Sequence, residues 1–94
     1  MWNDGVIRKA SVDQRLTVSH MALLFAIIIL CRRETGYRTI QTSRKVLMSR
    51  SHIGSLPTYH KCMKDLVNFK YLLYKPSYHP KKGSLISIIN DIKS

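Results

Sequence analysis

Acid is scarce in this sequence: five Asp and Glu stand against 16 Lys and Arg, a formal net charge of +11. The five acids are scattered, and no Ser, His and Asp or Cys and His set falls into a motif with matching structural context. Enzyme activity is therefore not expected. Glycine is also sparse, at four residues, and no glycine-rich phosphate loop can be found. The two cysteines, Cys31 and Cys62, both fall inside apolar segments, where a free thiol behaves as a small hydrophobe, so no disulfide framework is implied. A zinc site built from His52, His60, Cys62 and His79 would need ligands that converge. There is no CxxC or HxxxH pair, and His60 and Cys62 lie about 160° apart around a helix axis, so neither metal nor cofactor is expected. The longest apolar run, Met21 to Cys31, has eleven residues, whereas a membrane span needs about 18 to 20. No small-residue cleavage site follows it, and Arg32 and Arg33 come directly after, which argues against a signal peptide. A buried core helix in a cytoplasmic protein is the expectation.

What is present is basic charge on a globular composition. Of the 94 residues, 45% are hydrophobic and 22% charged, enough for one compact domain and too few for two. From Thr35 to Asn90 there are ten Lys and Arg and one acid, Asp65. Such a field attracts polyanions, chiefly nucleic acid or anionic lipid.

Residues 1–17 have no sustained period and read as an N-terminal arm, ahead of a domain over residues 18–94. Ser19 is a plausible cap for the apolar helix, which the pattern carries to about Arg33, with Gly36 as its stop. Tyr37 to Thr42 reads as a short strand. Ser43 caps a brief helix from Arg44 to about Arg50. A turn at His52-Ile53-Gly54 follows, in which Ile53 plugs the core and Gly54 supplies a positive φ. Ser55 caps a third helix to about Phe69, with Pro57 in its first turn. At 100° per residue, Tyr59, Cys62, Leu66 and Phe69 share one face of this helix, and His60, Lys61, Lys64 and Asn68 lie opposite. Tyr71 to Lys75 and Ser84 to Asn90 read as antiparallel strands around a loop with two prolines, a glycine and Lys81-Lys82 at its tip.

This is an α+β order, that of a winged helix-turn-helix: three helices, a small antiparallel sheet and a C-terminal hairpin wing. The segments Ser43-Arg44-Lys45, Ile53-Gly54-Ser55, Thr58 to Cys62, Tyr71 to Pro76 and Lys82-Gly83-Ser84 resemble small winged-helix proteins of bacterial mobile or conjugative elements. The resemblance covers roughly residues 19–90. It departs in the first helix, which reads Leu-Phe-Ala-Ile-Ile-Ile where such proteins commonly carry a tryptophan. It implies the fold and association with DNA, as a transcriptional regulator or an accessory factor of the element.

On the residues themselves, His60, Lys61, Lys64 and Asn68 suit base edges in a major groove, and Ser55 and Thr58 at the helix start suit phosphate. Arg44 and Lys45 are placed to clamp an adjacent phosphate. Tyr78, His79, Lys81 and Lys82 would follow the backbone from the wing or enter the minor groove. Double-stranded DNA and a second copy of the chain are the expected partners. No small-molecule substrate is evident. The rival reading is a winged-helix module that docks other proteins, which would expose apolar residues on the third helix and lack wing lysines. An RNA module would show more aromatic stacking platforms than Tyr78 offers.

Overall fold

The computed structural model describes residues 4–76 and 83–89. Among them are four α-helices, one π-helical turn and three strands in one α+β unit. The helices are α1 (Asp4–Ser11), α2 (Val18–Leu30), α3 (Arg44–Ser51) and α4 (Leu56–Asn68); the strands are β1 (Thr39–Thr42), β2 (Leu72–Lys75) and β3 (Ser84–Ile88).

Part of the N-terminal arm, residues 4–11, is helical: α1 buries Val6 and Ala10, one turn apart, in the common core, with Ile7 packed alongside, while residues 12–17 are turn and loop. Its apolar residues do fall on one side, Val6, Ile7 and Ala10 at i, i+1 and i+4, but eight residues are too few to show a sustained period. The segment after it is pinned as firmly. The Asp13 carboxylate accepts from Arg15 Nε (2.9 Å) and a terminal nitrogen of the same guanidinium (2.8 Å), and from the hydroxyl of the buried Tyr71 (2.8 Å). Arg15 also lies over the Phe69 ring at 4.1 Å, and Lys9 over the Tyr71 ring at 4.7 Å. Two cations of the arm are thus spent on the domain's own aromatic rings.

Helix α2 begins two residues earlier than Ser19 suggests. Thr17 is its N-cap: the Thr17 hydroxyl accepts from the His20 N–H, and the Thr17 N–H donates to His20 Nδ1 at 2.9 Å. This is a capping box with histidine in the place usually taken by Glu or Gln. Because Nδ1 accepts, Nε2 is left to donate to Asp65 on α4, 2.9 Å away, which ties the first turn of α2 to the middle of α4. Leu23, Leu24, Ile27 and Leu30 fill the centre of the core. The α-helical geometry stops at Leu30, not Arg33, and Cys31–Thr35 continues as a π turn. Its closing bond runs from the N–H of Gly36, at φ 68°, to the Cys31 carbonyl at 2.8 Å. The Thr35 hydroxyl, 3.0 Å from the same carbonyl, accepts from the Tyr37 N–H and helps turn the chain into β1.

The sheet order is β1-β3-β2, antiparallel throughout. Ile40 pairs with Ile86 and Leu72 with Ile88, and these four side chains form the sheet's buried face against the helices. Between α3 and α4, Ile53 is buried as the sequence predicts, but the reversal does not use Gly54. The positive φ falls at His52 (61°), whose N–H bonds the Ser49 carbonyl while that of Ile53 bonds Met48. That pair of bonds is a Schellman motif, which turns the chain one residue before the apolar plug. Helix α4 ends in the same way, with Lys70 at φ 69° and the Tyr71 N–H bonded to the Leu66 carbonyl.

Candidate nucleic-acid interface

Helix α4 carries three different sides. Ser55 caps it, accepting from the Thr58 N–H, and Pro57 sits in the first turn. Tyr59, Cys62, Met63 and Leu66 face the core. Burial pushes the Cys62 thiol up, and the Cys31 thiol up to about 11, so both stay protonated, as small core hydrophobes do.

On one flank stands Asp65, the single acid of α4, between His20 Nε2 and the Lys61 ammonium at 2.9 and 3.1 Å. Hydrogen bonds from His20 first and Lys61 second hold its carboxyl below the ordinary Asp value, against the opposing effect of burial. On the other flank, α4, the first turn of α3 and the β2–β3 hairpin enclose a groove of about 680 Å³. Its rim carries Arg44 and Lys45 from α3 and His60, Lys64 and Asn68 from α4; among the described residues no Asp or Glu lines it. Its floor is apolar, with Leu47, Met63, Val67 and Ile86. Tyr59 and Tyr74 complete the wall, and the Tyr74 hydroxyl is 2.9 Å from Ser84 Oγ. Burial pushes the Tyr59 phenol up to about 12, with Tyr74 adding to the shift and Arg44 opposing it.

Five of the residues singled out from sequence are therefore gathered on one groove: Arg44, Lys45, His60, Lys64 and Asn68. Lys61 is not among them; it leans toward Asp65 at i+4, though its side chain stays exposed. Ser55 is exposed and Thr58 half-buried, both at the start of α4. Tyr78, His79, Lys81 and Lys82 lie outside the described residues. Among the described residues, no three His, Cys, Asp or Glu side chains stand close enough to share a metal ion. No helix among them is long and apolar enough to cross a membrane.

Three contributors were missed in the sequence. Asp65 had a legible signal, since a lone acid four residues after a lysine on a helix marks an ion pair. Tyr59 was assigned to the core by its spacing, which is correct and says nothing of its hydroxyl. In the sequence, Gly83 shows itself only as a loop glycine within Lys82-Gly83-Ser84. It sits at φ 79°, and a Cβ there would come within 2.2 Å of the Thr42 carbonyl oxygen and 2.8 Å of the Ser43 nitrogen. Only glycine lets β3 pass this close to the start of α3, and that approach brings the hairpin to the groove.

Comparison with protein-family models, curated proteins and solved structures gives no match to this chain.

Proposed function

We propose that this chain is a winged-helix module that binds double-stranded DNA, with α4 as the reading helix and the β2–β3 hairpin as the wing. The observation that carries this reading is the segregation of charge about α4. The cations Arg44, Lys45 and Lys64, with the hydrogen-bonding side chains His60 and Asn68, share a surface that carries no acid among the described residues, while the one acid of α4 is turned to the opposite flank and paired there. A helix held by an apolar face and bordered by cations can put side chains against base edges while the cations release counterions from phosphate. The role implied by the resemblance is that of a regulator or accessory factor of a bacterial mobile element.

The test is fluorescence anisotropy with random and selected duplexes at several salt concentrations. The expected slope of log K against log salt is about 0.9 per neutralised phosphate. A slope near zero, or no binding in low salt, would refute the reading.

A second copy is the partner that fits α2. This helix has no charged residue, and Val18, Phe25 and Ile29 leave one exposed line along it at i, i+7 and i+11. Two strongly basic chains can approach along a neutral face, and two-fold pairing doubles the base contacts of a small domain. Sedimentation should show a dimer on DNA, weakened by Phe25→Glu. A monomer both free and on the duplex would remove this partner.

A further inference from the structure

The groove beside α4 has more than a phosphate backbone requires. Phosphates take cations from an open surface, and base edges are met by projecting side chains; neither calls for an apolar concavity. At about 680 Å³ the groove falls in the size range of small-molecule sites, roughly 300–1,000 Å³, which combine apolar walls with a few polar groups. Tyr59 adds an independent observation. It is only 5% exposed, it lines the groove, and among the described residues its hydroxyl has no hydrogen-bond partner. Buried hydroxyls normally find a partner, and this phenol, close to Tyr74 and Arg44 on the same groove, is placed to donate to a ligand oxygen or to water entering there. The positive end of the α3 dipole adds to the field of Arg44 and Lys45 at the same rim.

We propose that the groove binds an amphipathic organic anion. Arg44 and Lys64 hold its charged head, Tyr59 donates to it, and its apolar body lies on Leu47, Met63, Val67 and Ile86. Occupation displaces DNA, because the head takes cations that phosphates would otherwise use. The displacement rests on the DNA reading above; the binding does not.

The probe is 8-anilinonaphthalene-1-sulfonate, an aromatic body with one fixed negative charge, titrated by fluorescence against the full chain. One saturable site is expected, displaced by decanoate below its micellar range. Arg44→Gln with Lys64→Gln should weaken the site about tenfold or more, since charge-assisted contacts are the strong ones. Val67→Trp, which fills the groove from a half-buried position, should abolish it. Arg50→Gln, outside the groove, should bind as the parent does. Near-UV circular dichroism on each variant separates a lost site from a lost fold; a variant that fails this check is replaced by Ser84→Phe, which fills the same groove from β3. Unsaturable binding, or equal binding by rim, filled and parent proteins, overturns the proposal. In a second arm, decanoate is titrated into a labelled duplex complex. Release in step with filling of the groove is expected, and a complex that persists at saturation overturns the displacement. If the chain binds the probe as described but binds no duplex, the DNA reading falls and the anion site stands.

Discussion

Asp13 shows how much one side chain can hold. It joins the α1–α2 connection to Tyr71 at the mouth of β2, 58 residues away, and Tyr71 is among the largest side chains buried completely. Asp13→Ala leaves that phenol without its acceptor and should cost about 1–3 kcal/mol in urea unfolding, whereas Asp13→Asn keeps an acceptor and should cost less. The charge matters as well. Hydrogen bonds from Arg15 hold the Asp13 carboxyl well below the usual carboxylate range; burial opposes this and the Tyr71 hydroxyl reinforces it. Asp65 is lowered by His20 and Lys61. A carboxyl with a depressed folded-state value contributes its full stability above the unfolded value, near 4, and loses it as pH falls through the folded one. Unfolding free energies should therefore be flat in pH just above about 5 as far as these two groups are concerned, and fall in acid below about 4. Asp13→Asn should make the acid limb shallower. A parent and variant with identical acid limbs would deny Asp13 this part. At His52 the φ of 61° is paid by a residue with a Cβ, so His52→Gly should raise stability by about 0.5–1 kcal/mol, read from the urea midpoint at constant slope.

At the scale of elements, α3 and α4 were legible because each carries its own boundary chemistry: Ser43 and Ser55 cap them, and the apolar spacing of α4 sorts its faces. The boundaries that differ were set by an unusual local cap, the Thr17–His20 box, or by geometry with no residue signature. Nothing in the order of residues announces that Asp65 will receive His20, or that a π turn will carry the chain from Leu30 to Gly36. The groove was half legible: helical spacing selects His60, Lys64 and Asn68, but Arg44 and Lys45 join them because α2 packs against both α3 and α4, and the hairpin closes on the same groove where Gly83 meets Thr42 and Ser43. Gly83→Ala must push β3 away from backbone, not from a yielding side chain, and it also strains a positive φ. It should destabilise by about 1–3 kcal/mol and weaken DNA binding, measured by thermal unfolding and anisotropy together. Unchanged values of both would remove Gly83 as the hinge of the site. Between the two lysines, Lys64→Ala should narrow the gap between preferred and random duplex more than Lys61→Ala, since Lys61 is shared with Asp65. The reverse order would place the reading edge on the Asp65 flank.

For the molecule as a whole, composition gave the class and the surplus of positive charge, and chain order gave the α+β layout. The sheet's connectivity was the larger omission, because a strand's neighbours depend on which apolar faces the helices leave open. Strand β3 lies in the middle, so β1 and β2 each pair with it and not with one another. During synthesis this has a temporal meaning. Both outer strands are synthesised before their common partner, and at about 5–20 residues per second the interval from Lys75 to Ile88 is roughly 0.7 to 2.6 seconds. Until β3 is made, Tyr71, Leu72 and the apolar side of α2 have no completed sheet to cover them. A chain halted before Ser84 should stay in that condition, with fast amide exchange across 39–42 and 72–75 and no cooperative melting, while six further residues should restore both at once.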